Sequence, residues 1–198
     1  MRRTIVFAWL TILFTTIVGF FWYNDLVYRL PTPVPPNYSP VLTGSIVAVP
    51  GRPNNQGKPV FLHFFNPDCP CSRFNIKHVR ALIKEYGEKA DFKVVLVTTK
   101  DYSPAEIRER FELDVPVIID SNLAPAYGVY STPQAVIINS NNQLYYRGNY
   151  NRSRYCTDKK TNYAEIAISN LLKNRSAGEF ESFALKSYGC ELPDCTKP

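Results

Sequence analysis

Residues 59–80 read Pro-Val-Phe-Leu-His-Phe-Phe-Asn-Pro-Asp-Cys-Pro-Cys-Ser-Arg-Phe-Asn-Ile-Lys-His-Val-Arg, and this junction constrains the fold more than any other stretch. The apolar run over residues 60–65 is long enough for one buried strand. Asn66, Pro67 and Asp68 are turn formers. Beyond the cysteines, Phe74, Ile76, Val79, Leu82, Ile83 and Tyr86 recur at helical spacing. Cys69 and Cys71 therefore sit where a buried strand gives way to an amphipathic helix. Pro70 suits the first helical position, which makes Cys69 the N-cap. Unpaired N–H groups and the helix dipole at that point favour a thiolate, the form that attacks a disulfide.

This order of strand, turn, cysteine pair and helix resembles the active-site segment of the thioredoxin superfamily, and more broadly the redoxin and alkyl-hydroperoxide-reductase-like group. The pair is shortened: Pro70 alone separates the cysteines, where the usual motif has two residues. Downstream, Ser131-Thr132-Pro133-Gln134 precedes the apolar residues 135–138. The resemblance implies a cis-proline at Pro133, with Thr132 and Pro133 lining the groove that aligns a partner's disulfide beside Pro70. His63 stands six residues before Cys69, where thioredoxins carry a buried acid that handles the second cysteine's proton. The resemblance covers residues 45–175 and implies an α/β thioredoxin-like fold, a mixed central sheet flanked by helices.

The rest of the chain reads in the same order. Residues 92–98 form a near-continuous apolar run, as for a central strand covered on both faces. Ser103-Pro104-Ala105-Glu106 is a capping box with proline at the first helical position. A short strand is expected over 115–119 and a helical turn over 123–127. Asn139 to Asn142 read as the turn of a hairpin between strands over 134–138 and 144–148. A final helix is expected over 162–172, and a further short strand over 41–49.

Residues 4–23 contain no charged side chain and follow Arg2 and Arg3. About 20 apolar residues span a bilayer as a helix, and flanking arginines favour a cytoplasmic N-terminus. A cleaved signal peptide is the rival, but Gly-Phe-Phe-Trp-Tyr-Asn over residues 19–24 lacks small residues around a cut site. The chain thus divides into a transmembrane anchor over 1–24, a proline-rich linker over 25–44, the thioredoxin-like domain over 45–175 and a cysteine-containing tail over 176–198. The expected location is the inner membrane, single-pass, with the C-terminal domain in the periplasm. A net charge of +6 without a clustered basic stripe argues against a nucleic-acid partner.

Cys69 is the expected attacking thiolate and Cys71 the resolving thiol, in exchange with protein thiols and disulfides and with no cofactor. One intervening residue makes a Cβ–S–S–Cβ dihedral near 90° hard to reach, and a strained disulfide oxidises its partners more readily. His63 is either a hydrogen-bonded core residue or an acceptor for the Cys71 proton, with its pKa depressed by burial. His78 lies off the apolar stripe and reads as a surface residue.

Three other functions compete. A thiol peroxidase requires a proline seven and a threonine three residues before its cysteine, and neither cysteine has them. Copper delivery on this fold uses three residues between the cysteines and a late histidine, whereas both histidines here precede residue 80. No metal site is therefore expected. A non-catalytic binding module would not need the cysteine pair.

Cys156, Cys190 and Cys195 are candidates for a structural disulfide. A bridge from Cys156 to the tail closes a loop of about 35 to 40 residues, worth on the order of 3 to 4 kcal/mol in the chain-entropy model. Phe180, Phe183, Leu185 and Tyr188 in the tail need a surface to pack on. Those two points favour Cys156 bonded to Cys190, ahead of Cys195. The rival is a tail cysteine that reaches the Cys69 pair as an internal relay.

Overall fold

The computed structural model describes residues 2–50, 57–153, 155–176 and 180–193. The chain begins with helix α1 (Arg2–Arg29), of which Arg2–Leu26 is long and apolar enough to cross a membrane. The domain then alternates β1 (Val60–Phe65), α2 (Pro70–Tyr86), β2 (Asp91–Leu96), α3 (Pro104–Phe111), β3 (Val117–Ile119) and α4 (Leu123–Ala126). It closes with β4 (Ser131–Thr132), β5 (Gln134–Ile138), β6 (Leu144–Gly148), α5 (Tyr163–Leu172), α6 (Ser182–Leu185) and β7 (Cys190–Glu191).

Five strands form one mixed sheet in the order β3-β2-β1-β5-β6. β1 pairs in parallel with β2 and antiparallel with β5, so it is central and all six of its residues are buried. Strand alternation sends Phe61, Phe65, Val94, Leu96 and Ile137 to one face, against Ile76, Val79 and Leu82 of α2 and Ala164, Ala167 and Ile168 of α5. The opposite face presents Val60, Leu62, Phe64, Val95 and Val136 to Val47, Val49, Ala124 and Tyr127. At roughly 2 kcal/mol per buried aliphatic side chain, the inner stripe of α2 anchors the helix whose first turn carries the cysteines.

Local chemistry sets the ends of these elements. Ser103 Oγ accepts from the Glu106 N–H at 3.1 Å, the expected cap. Gly128, at φ +66°, turns the chain after α4.

Three expectations need correction. Residues 41–49 hold isolated bridge residues, Val49 and Ile46 (the latter paired with Gln143), instead of a strand, although Val47 and Val49 are buried. Phe74 is turned outward to meet the tilted ring of Tyr155, with ring centres 5.1 Å apart. His78 is half-buried, edge-on to Tyr150 at 6.0 Å, because the ring leans back along α2 towards the sheet. The proline-rich stretch, read as a linker, also packs on the domain: Thr32 is buried and Tyr38 donates to the Gly128 carbonyl at 3.1 Å.

Candidate active site

The turn after β1 is built by Asn66. Its side-chain oxygen accepts from the Asp68 N–H at 2.9 Å, and its carbonyl accepts from the Cys69 N–H at 3.1 Å. Cys69 is the N-cap of α2, with extended backbone (φ −79°, ψ 121°) and Pro70 in the first turn. The Asp68 carboxylate accepts from Tyr102 at 2.9 Å and pairs with Lys100 at 3.2 Å. The unfavourable effect of a carboxylate on a neighbouring thiolate is thereby offset.

Opposite the helix end, the Thr132–Pro133 peptide bond is cis, and Pro133 lines the same cleft as Cys71. The third wall is the tail. β7 lies antiparallel on β4, with Thr132 opposite Cys190. This register delivers Cys190 to Cys69, and the two form a disulfide across a sequence separation of 121. Cys71 stays outside any disulfide, with its Sγ 3.4 Å from Cys190 Sγ. All three cysteines are buried, and their sulfurs lie within 4.8 Å of one another.

The expected bridge from Cys156 to the tail is not formed. Cys156 occupies a left-handed turn (φ 54°) and its thiol donates to Asn75 Oδ1 at 3.1 Å. That turn brings the sulfur to Asn75 of α2, while the β4–β7 pairing carries Cys190 to Cys69. Burial pushes the Cys156 thiol up to about 12. Cys195 lies outside the described residues.

His63 faces the α2 side of the sheet. Its Nδ1 shares a 2.8 Å hydrogen bond with the Tyr150 hydroxyl, and its Nε2 is buried without a hydrogen-bond partner. Burial lowers its pKa to about 3. Tyr150, edge-on to His63 with ring centres 5.5 Å apart, also lines the cleft with Cys71.

Asn149, Tyr150 and Gly189 were not singled out as site residues from the sequence. Asn149 donates to the Phe183 and Lys186 carbonyls, each at 2.6 Å, and holds the tail's base. A Cβ on Gly189 would collide with the Thr132 carbonyl, so only glycine lets β7 approach β4 this closely. The one available signal was glycine directly before a cysteine in the tail.

Comparison with known proteins agrees with this geometry. A thiol-disulfide oxidoreductase, ResA of Halalkalibacterium halodurans, is 28% identical over 92 residues, 45% of this chain and 52% of that protein. The match thus spans about half the length of that curated relative. A hypothetical protein, SMc02350 of Sinorhizobium meliloti 1021, superposes with a TM-score of 0.64 at 17% identity, over 79% of this chain and 97% of that one. A thioredoxin-like protein solved in its oxidised form gives a TM-score of 0.50 at 18% identity, over 70% of this chain and 97% of that one. The fold is thioredoxin-like. Residues 41–191 match a family described as Domain of unknown function (DUF6436).

Proposed function

The chain belongs to the DUF6436 family, and we propose that it is a membrane-anchored thiol–disulfide oxidoreductase whose domain faces the periplasm and exchanges disulfides with protein partners. One observation carries the reading: Cys69, at the N-cap of α2 and across from cis Pro133, has two further cysteine sulfurs within 4.8 Å. The helix end favours the thiolate of Cys69, which makes it the attacking sulfur. Thr132 and Pro133 form the edge on which a partner's extended segment aligns. The named activity of the ResA relative supports the same reaction class. Arg2 and Arg3 ahead of the apolar helix support a cytoplasmic N-terminus and an outward-facing domain.

A redox titration with alkylation and mass spectrometry tests this. Cys69 should titrate as part of a two-electron couple, and Cys69→Ser should abolish exchange with a model disulfide. Full exchange by Cys69→Ser would sink the reading. Peroxide turnover by the same preparation would favour the thiol peroxidase instead.

The sulfur cluster also supports a second reading. Once the Cys69–Cys190 bond is reduced, the three buried sulfurs would offer a soft ligand set suited to copper(I). Stoichiometric copper(I) retention by the reduced protein against a competing chelator, lost in Cys190→Ser, would favour it.

A further inference from the structure

The tail enters the site as a strand. We infer that Cys190, rather than Cys71, is the resolving cysteine, and that β7 occupies the place on β4 that a partner's extended segment takes during exchange. This rests on the oxidoreductase reading above.

Several independent contacts fix the geometry. The register sets Cys190 opposite Thr132, the residue before cis Pro133. The base of the tail is held firmly: Asn149 binds the carbonyls of Phe183, Ala184 and Lys186, and Gln134 donates to the Ser187 hydroxyl. Thr32 donates to the carbonyls of Ser187 at 2.8 Å and Gly189 at 2.7 Å. Beyond that base, β7 is two residues long and pairs with β4 alone among the described strands. Asn66 Nδ2 also donates to the Pro193 carbonyl at 3.1 Å, so lifting β7 breaks that one bond together with the β4 pairing while the base stays in place. Cys71 is poorly placed for the same task, since one intervening residue on the opening turn of a helix resists the dihedral a disulfide needs.

The chemistry balances as follows in the reducing direction. The Cys69 thiolate attacks one sulfur of a partner disulfide; the Cys69–partner bond forms, the partner's own S–S bond breaks, and the departing thiolate takes a proton. The Cys190 thiolate then attacks Cys69 Sγ. The Cys69–Cys190 bond forms, and the partner's second sulfur leaves and is protonated. The partner gains two electrons and two protons, and the two cysteines lose them. The oxidising direction is the reverse. The partner segment and β7 use one strand edge, so β7 must leave β4 before the partner docks and reclaim it as the partner departs.

The test uses the full chain in detergent, reduced and then exposed to oxidised glutathione, with acid quench and intact mass. Cys69 and Cys71 share one tryptic peptide, so variants make the assignment. Cys71→Ser should shed its glutathione adduct at least about tenfold faster than Cys190→Ser, because a docked cysteine acts at high effective molarity. Gly189→Ala, which keeps all five cysteines but forces β7 off β4, should also shed it slowly. Clearance by Cys190→Ser as fast as by Cys71→Ser overturns the proposal and leaves the oxidoreductase reading intact. Closure in Gly189→Ala at the parent's rate overturns the docking of β7. Absence of any adduct on Cys69 in parent and variants alike overturns the reading on which both rest.

Discussion

His63 and Tyr150 share a 2.8 Å hydrogen bond in the floor of the domain, and the tyrosine, not a cysteine, is what the imidazole binds. Burial holds His63 neutral, with its pKa lowered to about 3 from an ordinary 6.5. The sign follows directly. Above pH 6.5 neither folded nor unfolded chain protonates this ring. As pH falls towards 3 the unfolded chain takes the proton and the folded one does not. Stability is therefore complete above about pH 6.5 and falls on acidification by up to about 1.4 kcal/mol per pH unit from this group. His63→Gln keeps a polar partner for Tyr150 without a titrating ring. Its urea midpoint should fall less between pH 7 and pH 4.5 than the parent's, and equal slopes would contradict the assignment. A ring held this low takes no thiol proton near neutrality, so exchange should show no inflection from His63 between about pH 5 and pH 8.

Cys156 should alkylate more slowly than Cys69 in the reduced protein, because burial raises its pKa. With its pKa pushed up to about 12, only about one molecule in ten thousand is thiolate at pH 8. A time course with iodoacetamide, read by peptide mass, checks this. Labelling of Cys156 ahead of Cys69 would show that the thiol is not held against Asn75.

Asn149→Ala should loosen the tail. Two carbonyls, of Phe183 and Lys186, lose their donor. The expected loss is about 2 kcal/mol, since buried acceptors are left unsatisfied. Urea unfolding of the oxidised protein measures it. Limited proteolysis should cut the variant after residue 180 before the parent is cut, and identical digestion patterns would count against the role of Asn149.

The protein should remain in the membrane fraction after high-salt and alkaline washes. A chain beginning at Asn37 should be soluble, though it forfeits the Thr32 contacts with the tail. A mature protein whose intact mass begins between Gly19 and Asp25 would instead identify the apolar segment as a cleaved signal.

Much of the scaffold was legible because it is local. The apolar run of β1, the Pro70 start of α2, the Ser103 cap and the β5–β6 hairpin each follow from neighbouring residues. The cis bond before Pro133 was legible only through resemblance. The partner of Cys69 was legible only as the rival reading, a tail cysteine reaching the Cys69 pair, because nothing in spacing links residues 69 and 190. Loop entropy favoured Cys156 as the tail's partner, but strand register decided otherwise: once Gly189 lets β7 reach β4, Cys190 has one direction to point. The tail's apolar residues did need a surface, and Phe180 packs on Tyr146 at 4.9 Å while Phe183 stacks on Tyr188 at 4.1 Å. His78 was misjudged because helical spacing gives a side chain's azimuth and not its lean.

Thr32 sets a limit on reach. α1 ends at Arg29, and three residues later the chain is already hydrogen-bonded to the carbonyl of Gly189, the neighbour of Cys190. Three residues span no more than roughly 10 Å at full extension. With α1 seated in a bilayer, the sulfurs would be moored close to the lipid headgroups, on a short leash rather than a swinging arm.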